Sequence, residues 1–203
     1  PSLCRDGVGV IVSPLIALMQ DQITALAQLG ISARAINSSM SDRAVFEVKQ
    51  KLESNNLDLL YVAPERLVMP EFVELLERVK VALFAIDEAH CVSQWGHDFR
   101  PDYTALSFLA ERFKGVPRIA LTATADRATR KDIIERLKLE NGRTFIGGFD
   151  RPNIHYSILE RNNPKKQVYD FIKNYHLEDS GIIYCISRKK VEDLKLARKI
   201  CKL

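Results

Sequence analysis

Apolar positions along the chain fall into two alternating rhythms. Short runs rich in Val, Ile and Leu at 7–12, 31–36, 58–63, 81–86 and 118–121 read as strands. Between them, apolar residues recur every third or fourth position. Leu15, Leu18, Met19, Ile23, Leu26 and Leu29 trace a helix with Ser13-Pro14 as its cap and first residue, closed by Gly30. Ser41-Asp42 opens a second helix to about Leu52, and a third covers Glu71 to Val79. Pro101-Asp102 caps a helix from Tyr103 to Phe113, and Asp126 caps one running through Leu137. Runs such as 58–63 and 81–86 are apolar without alternation, which predicts strands buried on both faces. Strand–helix alternation of this kind predicts an α/β fold, a mostly parallel sheet with helices on both faces.

The rhythm breaks at 147–153, where glycines and a proline cluster, and this stretch is the expected hinge between two lobes, 1–149 and 150–203. Beyond it the pattern predicts a strand from Ile154 to Leu159, a helix from Lys165 to Tyr175, a strand over 181–186 and a Ser187-led helix. That is the opening of a second α/β lobe, too short for a complete core.

Composition narrows the setting. The 203 residues are 46% hydrophobic and 28% charged, ordinary for a globular protein. No apolar run approaches the roughly 20 residues of a membrane span, and no secretory signal is visible. Four scattered cysteines form no C-x-x-C pair, so a reducing cytoplasm is the natural setting. The net charge of +4 is unevenly spread: 150–203 carry 12 Lys/Arg against 7 Asp/Glu, and 1–149 carry 18 against 19. The basic end either meets phosphates or is a solvated helix face. Because the chain starts without Met, it is expected to be cut from something longer.

Candidate chemistry concentrates where the 81–86 strand stops at Asp87-Glu88. Ligands of open α/β sheets bind at the carboxyl ends of strands. There an aspartate can hold Mg2+ and the next carboxylate can take a proton from attacking water, a pairing suited to phosphoanhydride hydrolysis. The bland alternative is that the two acids merely cap the following helix. Trp95, His97, Phe99, Arg100 and Tyr103 follow closely, an aromatic segment with an arginine that suits stacking on nucleic-acid bases. The alternative for Trp95 and Phe99 is a hydrophobic patch against the second lobe. His90, Cys91 and His97 match no structural zinc spacing, and His97 reads as loop scaffolding. Ser13 and Arg66 at strand ends are either DNA-backbone contacts or a helix cap and a turn.

The string DEAHCVSQWGHDFRPDY at 87–103 resembles the RecQ family of DNA helicases almost letter for letter. Its DEAH stands at 87–90 and its aromatic-rich loop at 93–103. Further similarity runs through 12–22, 61–67, 120–125, 149–154 and 181–188, in the family's order of motifs Ia, Ib, III, the lobe junction and IV. The resemblance implies a RecA-like first lobe and the beginning of a second. It also implies an ATP-dependent, 3′-to-5′ DNA helicase of repair and recombination, using ATP and Mg2+. The expected partner is DNA, single-stranded and at duplex junctions, in the cytoplasm near the nucleoid. Carried over, Asp87 positions Mg2+, and Glu88 is the hydrolytic base. His90, Thr122 and Thr124 couple the nucleotide and DNA sites. Trp95, Phe99 and Arg100 sense single-stranded DNA.

The family's G-x-x-x-x-G-K-[ST] loop is not found in these residues, nor are its motifs V and VI or its zinc-binding and winged-helix modules. The chain is therefore expected to be an internal piece of a helicase, inactive by itself. A contrasting reading is a non-catalytic single-strand-binding or partner-docking module using the same loop. A phosphorelay receiver with Asp87 as acceptor would need an acidic pair after the first strand, and Val12-Ser13-Pro14 supplies none.

Overall fold

A computed structural model describes residues 1–94, 98–148 and 152–195, with side chains to 192. The chain divides into two compact units, Pro1–Thr144 and Phe145–Leu203.

In the first unit, β1 (Val8–Val12) leads to α1 (Ile16–Gln28), β2 (Ala33–Ile36), α2 (Asp42–Glu53) and β3 (Leu59–Val62). Next come α3 (Pro64–Leu67), α4 (Pro70–Glu77), β4 (Val81–Ile86), α5 (Pro101–Ala105), α6 (Leu109–Arg112), β5 (Arg118–Ala120) and α7 (Arg127–Arg136). All four strand pairings are parallel, in the order β2-β3-β1-β4-β5. From β1 the chain winds first toward one edge and then toward the other, so β1 and β4 flank the point where the winding reverses. In open α/β sheets such a reversal is where ligands commonly bind, outside the carboxyl ends of the strands.

Strand alternation sorts the core onto both faces. Leu60 and Val62 of β3 join Val10, Val12, Phe84 and Ile86 in a large cluster with residues of α2, α4 and α7. Tyr61, one position out of step, meets Met19 and Ile23 of α1 on the opposite face. The rings of Phe84 and Phe113 meet edge to face at 4.9 Å.

Local signals act as expected at several ends. Ser41 accepts a hydrogen bond from the Ala44 N–H and Asp126 one from the Thr129 N–H, capping α2 and α7. Gly30 takes a positive φ of 75°, while its N–H and that of Ile31 satisfy the Ala27 and Leu26 carbonyls at the end of α1.

Three expectations need correction. Helix α1 starts at Ile16 with Leu15 at its cap, not at Ser13-Pro14. The Ser13 N–H still belongs to the sheet, donating to the Val62 carbonyl at 3.1 Å, and Leu15 keeps extended angles, φ −114° and ψ 102°, so the helical turn starts only after it. The helix expected over 103–113 is instead α5, a tighter 3-10 turn over Leu106–Phe108, and α6. In the second unit, α8 (Pro164–Tyr175) and α9 (Arg188–Lys195) form, but 154–159 and 181–186 pair with no strand among the described residues. Ile158 and Tyr184 are 98% and 90% exposed. Apolar runs of this kind become strands only when neighbouring strands take their backbone groups and a core covers their faces.

Candidate active site at the carboxyl edge of the sheet

Four chain segments converge on one lip of the first unit. The Asp87 N–H continues the β1–β4 ladder to the Val12 carbonyl at 2.9 Å, and the Leu121 N–H continues β4–β5 to the Ile86 carbonyl at 2.8 Å. The Ala63 N–H reaches the Ile36 carbonyl at 3.3 Å beside them. The segments after β1, β3, β4 and β5 therefore leave the sheet side by side, as parallel strands require.

Asp87 and Glu88 stand half-buried on this lip. The Glu88 N–H donates to Asp87 Oδ1 at 2.9 Å, and Glu88 itself has left-handed backbone angles, φ 48° and ψ 41°. The Tyr103 hydroxyl donates to the Asp87 carbonyl at 2.9 Å. The left-handed turn swings the Glu88 carboxylate toward buried His90, whose Nδ1 lies 3.3 Å from Glu88 Oε2.

Nδ1 of His90 also faces Thr122 Oγ1 at 3.1 Å and Thr124 Oγ1 at 3.3 Å. The Thr124 N–H in turn donates to Thr122 Oγ1 at 3.2 Å. A carboxylate can only accept, so the tautomer with its proton on Nδ1 serves this set best. One imidazole thus joins the acid after β4 to both hydroxyls after β5.

The aromatic segment is rooted in the same place. Its final stretch returns where the Arg100 N–H donates to the Cys91 carbonyl at 2.9 Å. Arg100 forks onto Asp98 at 3.4 and 3.2 Å, which holds the Asp98 carboxyl below its ordinary range and raises the guanidinium. Burial, with Asp98 beside it, pushes the Cys91 thiol up to about 11, and the thiol donates to Asp98 Oδ2 at 3.7 Å. His90, Cys91 and Asp98 bring possible metal-ligand atoms within 4.8 Å of one another. Their polar atoms are already engaged with the threonines, with one another and with Arg100. On the opposite side, the Ser93 hydroxyl donates to Asp132 of α7 at 2.8 Å, and Arg136 lies 3.7 Å from that carboxylate.

Of the residues singled out in the sequence, Asp87, Glu88, His90, Thr122 and Thr124 lie together, and Arg100 lies at the loop root beside them. Phe99 is 39% exposed at that root. Arg66 stands half-buried on α3, its guanidinium 3.6 Å from the Met69 sulfur. Ser13 is wholly buried at the end of β1, and its hydroxyl has no hydrogen-bond partner among the described residues. Trp95, His97 and the 149–151 part of the expected hinge lie outside the described residues. Tyr103, grouped in the sequence with aromatics suited to stacking on bases, is instead wholly buried, so its ring presents no face to a base. Asp98 and the Ser93–Asp132 bond received no role from sequence, and the bonds from Tyr103 to Asp87 and from Ser93 to Asp132 span 16 and 39 residues and leave no local pattern.

The family model for the DEAD/DEAH box helicase matches residues 3–133, well over half of the chain. The chain belongs to the DEAD/DEAH box helicase family. Among helicases of this family it is similar to the ATP-dependent DNA helicase RecQ of Pasteurella multocida, 49% identical over 95% of the chain and 30% of that protein. The RecQ of Haemophilus influenzae is 50% identical over 95% of the chain and 31% of that protein. The chain thus spans less than a third of these curated relatives. Among solved structures, the helicase domain of Pyrococcus furiosus Hef aligns with a TM-score of 0.53 at 16% identity, over 99% of this chain and 46% of that one. That likeness speaks for the helicase RecA-like fold alone. The matched span includes the Asp-Glu-Ala-His sequence at 87–90, directly after β4, and Thr122 and Thr124, directly after β5.

Proposed function

We propose that the protein containing this chain is an ATP-dependent DNA helicase of the RecQ type. It moves 3′ to 5′ on DNA, serves repair and recombination in the cytoplasm near the nucleoid, and recognises single strands and duplex junctions. Residues 1–149 are the greater part of its first motor lobe and 150–203 the start of its second.

The observation that carries this reading is the hydrogen-bonded set linking Glu88, His90, Thr122 and Thr124 on the lip that also roots the aromatic loop. Hard carboxylate oxygens at a strand tip suit Mg2+, and half-buried Asp87 is the residue to hold it beside the phosphates of ATP. The metal ion would offset negative charge on the phosphates. Glu88, one residue on and turned the other way, is the group to accept a proton from the attacking water. Its contact with His90 gives that protonation a path to Thr122 and Thr124. Phe99 and Arg100, with Trp95, are the groups to take a DNA strand by stacking, which tolerates any sequence. The 203 residues contain no G-x-x-x-x-G-K-[ST] cradle for phosphates, so the isolated chain is expected to turn over no ATP.

The test uses the full-length protein with single-stranded DNA and a Glu88→Gln control. DNA-stimulated ATP turnover, together with displacement of a strand from a duplex bearing a 3′ tail, is the expected result. DNA binding without turnover in the parent would instead favour a non-catalytic binding module. Unwinding only from a 5′ tail would remove the assigned polarity.

A further inference from the structure

The peptide between Asp87 and Glu88 is gripped at both ends. Its N–H goes to Asp87 Oδ1 at 2.9 Å, and its carbonyl accepts from the Tyr103 hydroxyl at 2.9 Å. The residue that this peptide leads into, Glu88, sits at φ 48°, a left-handed conformation that non-glycine residues seldom adopt and that surrounding contacts must maintain. On either side the chain is already fixed. The Asp87 N–H is held by the Val12 carbonyl, and the Ala89 N–H by the Leu121 carbonyl at 2.9 Å. Rotation of the one peptide between them is what remains to be set.

Tyr103 is suited to set it. Its ring is wholly buried in the core, so the hydroxyl has one fixed place. Burial first, then the neighbouring Cys91 and Asp87, push the phenol far above its ordinary range, so it stays protonated and donates at any working pH. It stands in the first turn of α5, its N–H closing on the Arg100 carbonyl at 3.0 Å, and the Arg100 N–H closes on Cys91. The returning end of the aromatic loop therefore reaches the acid pair through one phenolic hydrogen bond.

We propose that Tyr103 is a positioning residue for ATP hydrolysis: by holding the Asp87 carbonyl, its hydroxyl keeps Glu88 in the left-handed conformation that aims the carboxylate into the site. This rests on the helicase reading above and deepens it. The phenol touches neither nucleotide nor water in this role.

The experiment compares full-length parent, Tyr103→Phe and Tyr103→Leu in DNA-stimulated ATP turnover. Melting temperature and the stoichiometry of a fluorescent ADP analogue are measured alongside. Phenylalanine keeps the buried ring and removes only the hydroxyl. The expected result is a kcat about tenfold lower for Tyr103→Phe, the effect of one lost hydrogen bond, with KM for ATP within about twofold and full binding stoichiometry. If ring packing were all that mattered, Phe would restore what Leu loses, and a Phe variant at parental kcat overturns the proposal. So does a loss traced entirely to fewer binding-competent molecules, or to a rise in KM. Should Leu fail to fold, the Phe result decides alone. A parent without DNA-stimulated turnover overturns the helicase reading, and this inference with it, before the variants are compared.

Discussion

His90 Nδ1 lies 3.1 Å from Thr122 Oγ1, across 32 residues of sequence, and joins the end of β4 to the end of β5. Glu88 sits on the other flank of the same nitrogen at 3.3 Å. A carboxylate that gains or loses a proton changes what this nitrogen can offer the threonines. Under the proposed function, this contact is the route by which chemistry at one strand tip reaches the next.

Removing the hydroxyl but keeping the shape tests that link. Thr122→Val in the full-length protein is expected to keep ATP turnover within about threefold of the parent while strand separation falls about tenfold, the effect of one hydrogen bond. Parallel measurement of phosphate release and duplex unwinding checks it. Equal loss in both assays contradicts a coupling role.

Glu88→Gln keeps size and hydrogen-bonding capacity while removing the proton acceptor. Turnover is expected to fall at least a hundredfold, within the usual range for a lost general base. Nucleotide affinity, read by equilibrium binding of a labelled ATP analogue, should change little. A parallel loss of binding would make Glu88 a ligand-holding residue instead.

Cys91 is expected to be a poor nucleophile. With its thiol raised to about 11 by burial, the thiolate fraction at pH 8 is about a hundredfold below that of an ordinary cysteine. Alkylation at Cys91, followed by peptide mass analysis, should be slower in the folded protein than in denaturant by at least that factor. The sign for stability follows. The folded state holds this proton more tightly, so the contribution is full at neutral pH and is lost as pH rises through the ordinary thiol range toward 11. Equal alkylation rates in the two states contradict the burial.

Much of this organisation was legible in the sequence because it depends on local pattern. The apolar run ending at Asp87-Glu88 declared β4 and its tip, and Ser41 and Asp126 declared their helices through caps that act within three residues. Ser13-Pro14 misled because a serine before proline reads the same whether it caps a helix or ends a strand. The extended backbone at Leu15 decides between them, since the helix starts only at Ile16. The runs at 154–159 and 181–186 carry strand composition without strand partners, and composition cannot supply a ladder. Tyr103 read as the last of the aromatics suited to stacking on bases, since nothing near it in sequence announces that its ring is buried and its hydroxyl ends on the Asp87 carbonyl.

Stability should follow the burial pattern closely. Phe84, with no exposed surface and its ring against Phe113, is expected to cost about 3–5 kcal/mol as Phe84→Ala, a large share of a typical domain's stability. Leu121→Ala, at a side chain 48% exposed, should stay within about 0.5 kcal/mol. Denaturant midpoints of the two variants give the comparison, and similar shifts would contradict it.

The central claim is that fuel cleavage and strand capture share one lip of the sheet and act on each other there. The most direct measurement is the ratio of ATP turnover with and without single-stranded DNA in the full-length protein, for the parent and for Trp95→Ala and Phe99→Ala. The account predicts a ratio well above one in the parent, falling several-fold in both variants at DNA concentrations that still saturate binding. Variants stimulated as strongly as the parent would contradict it.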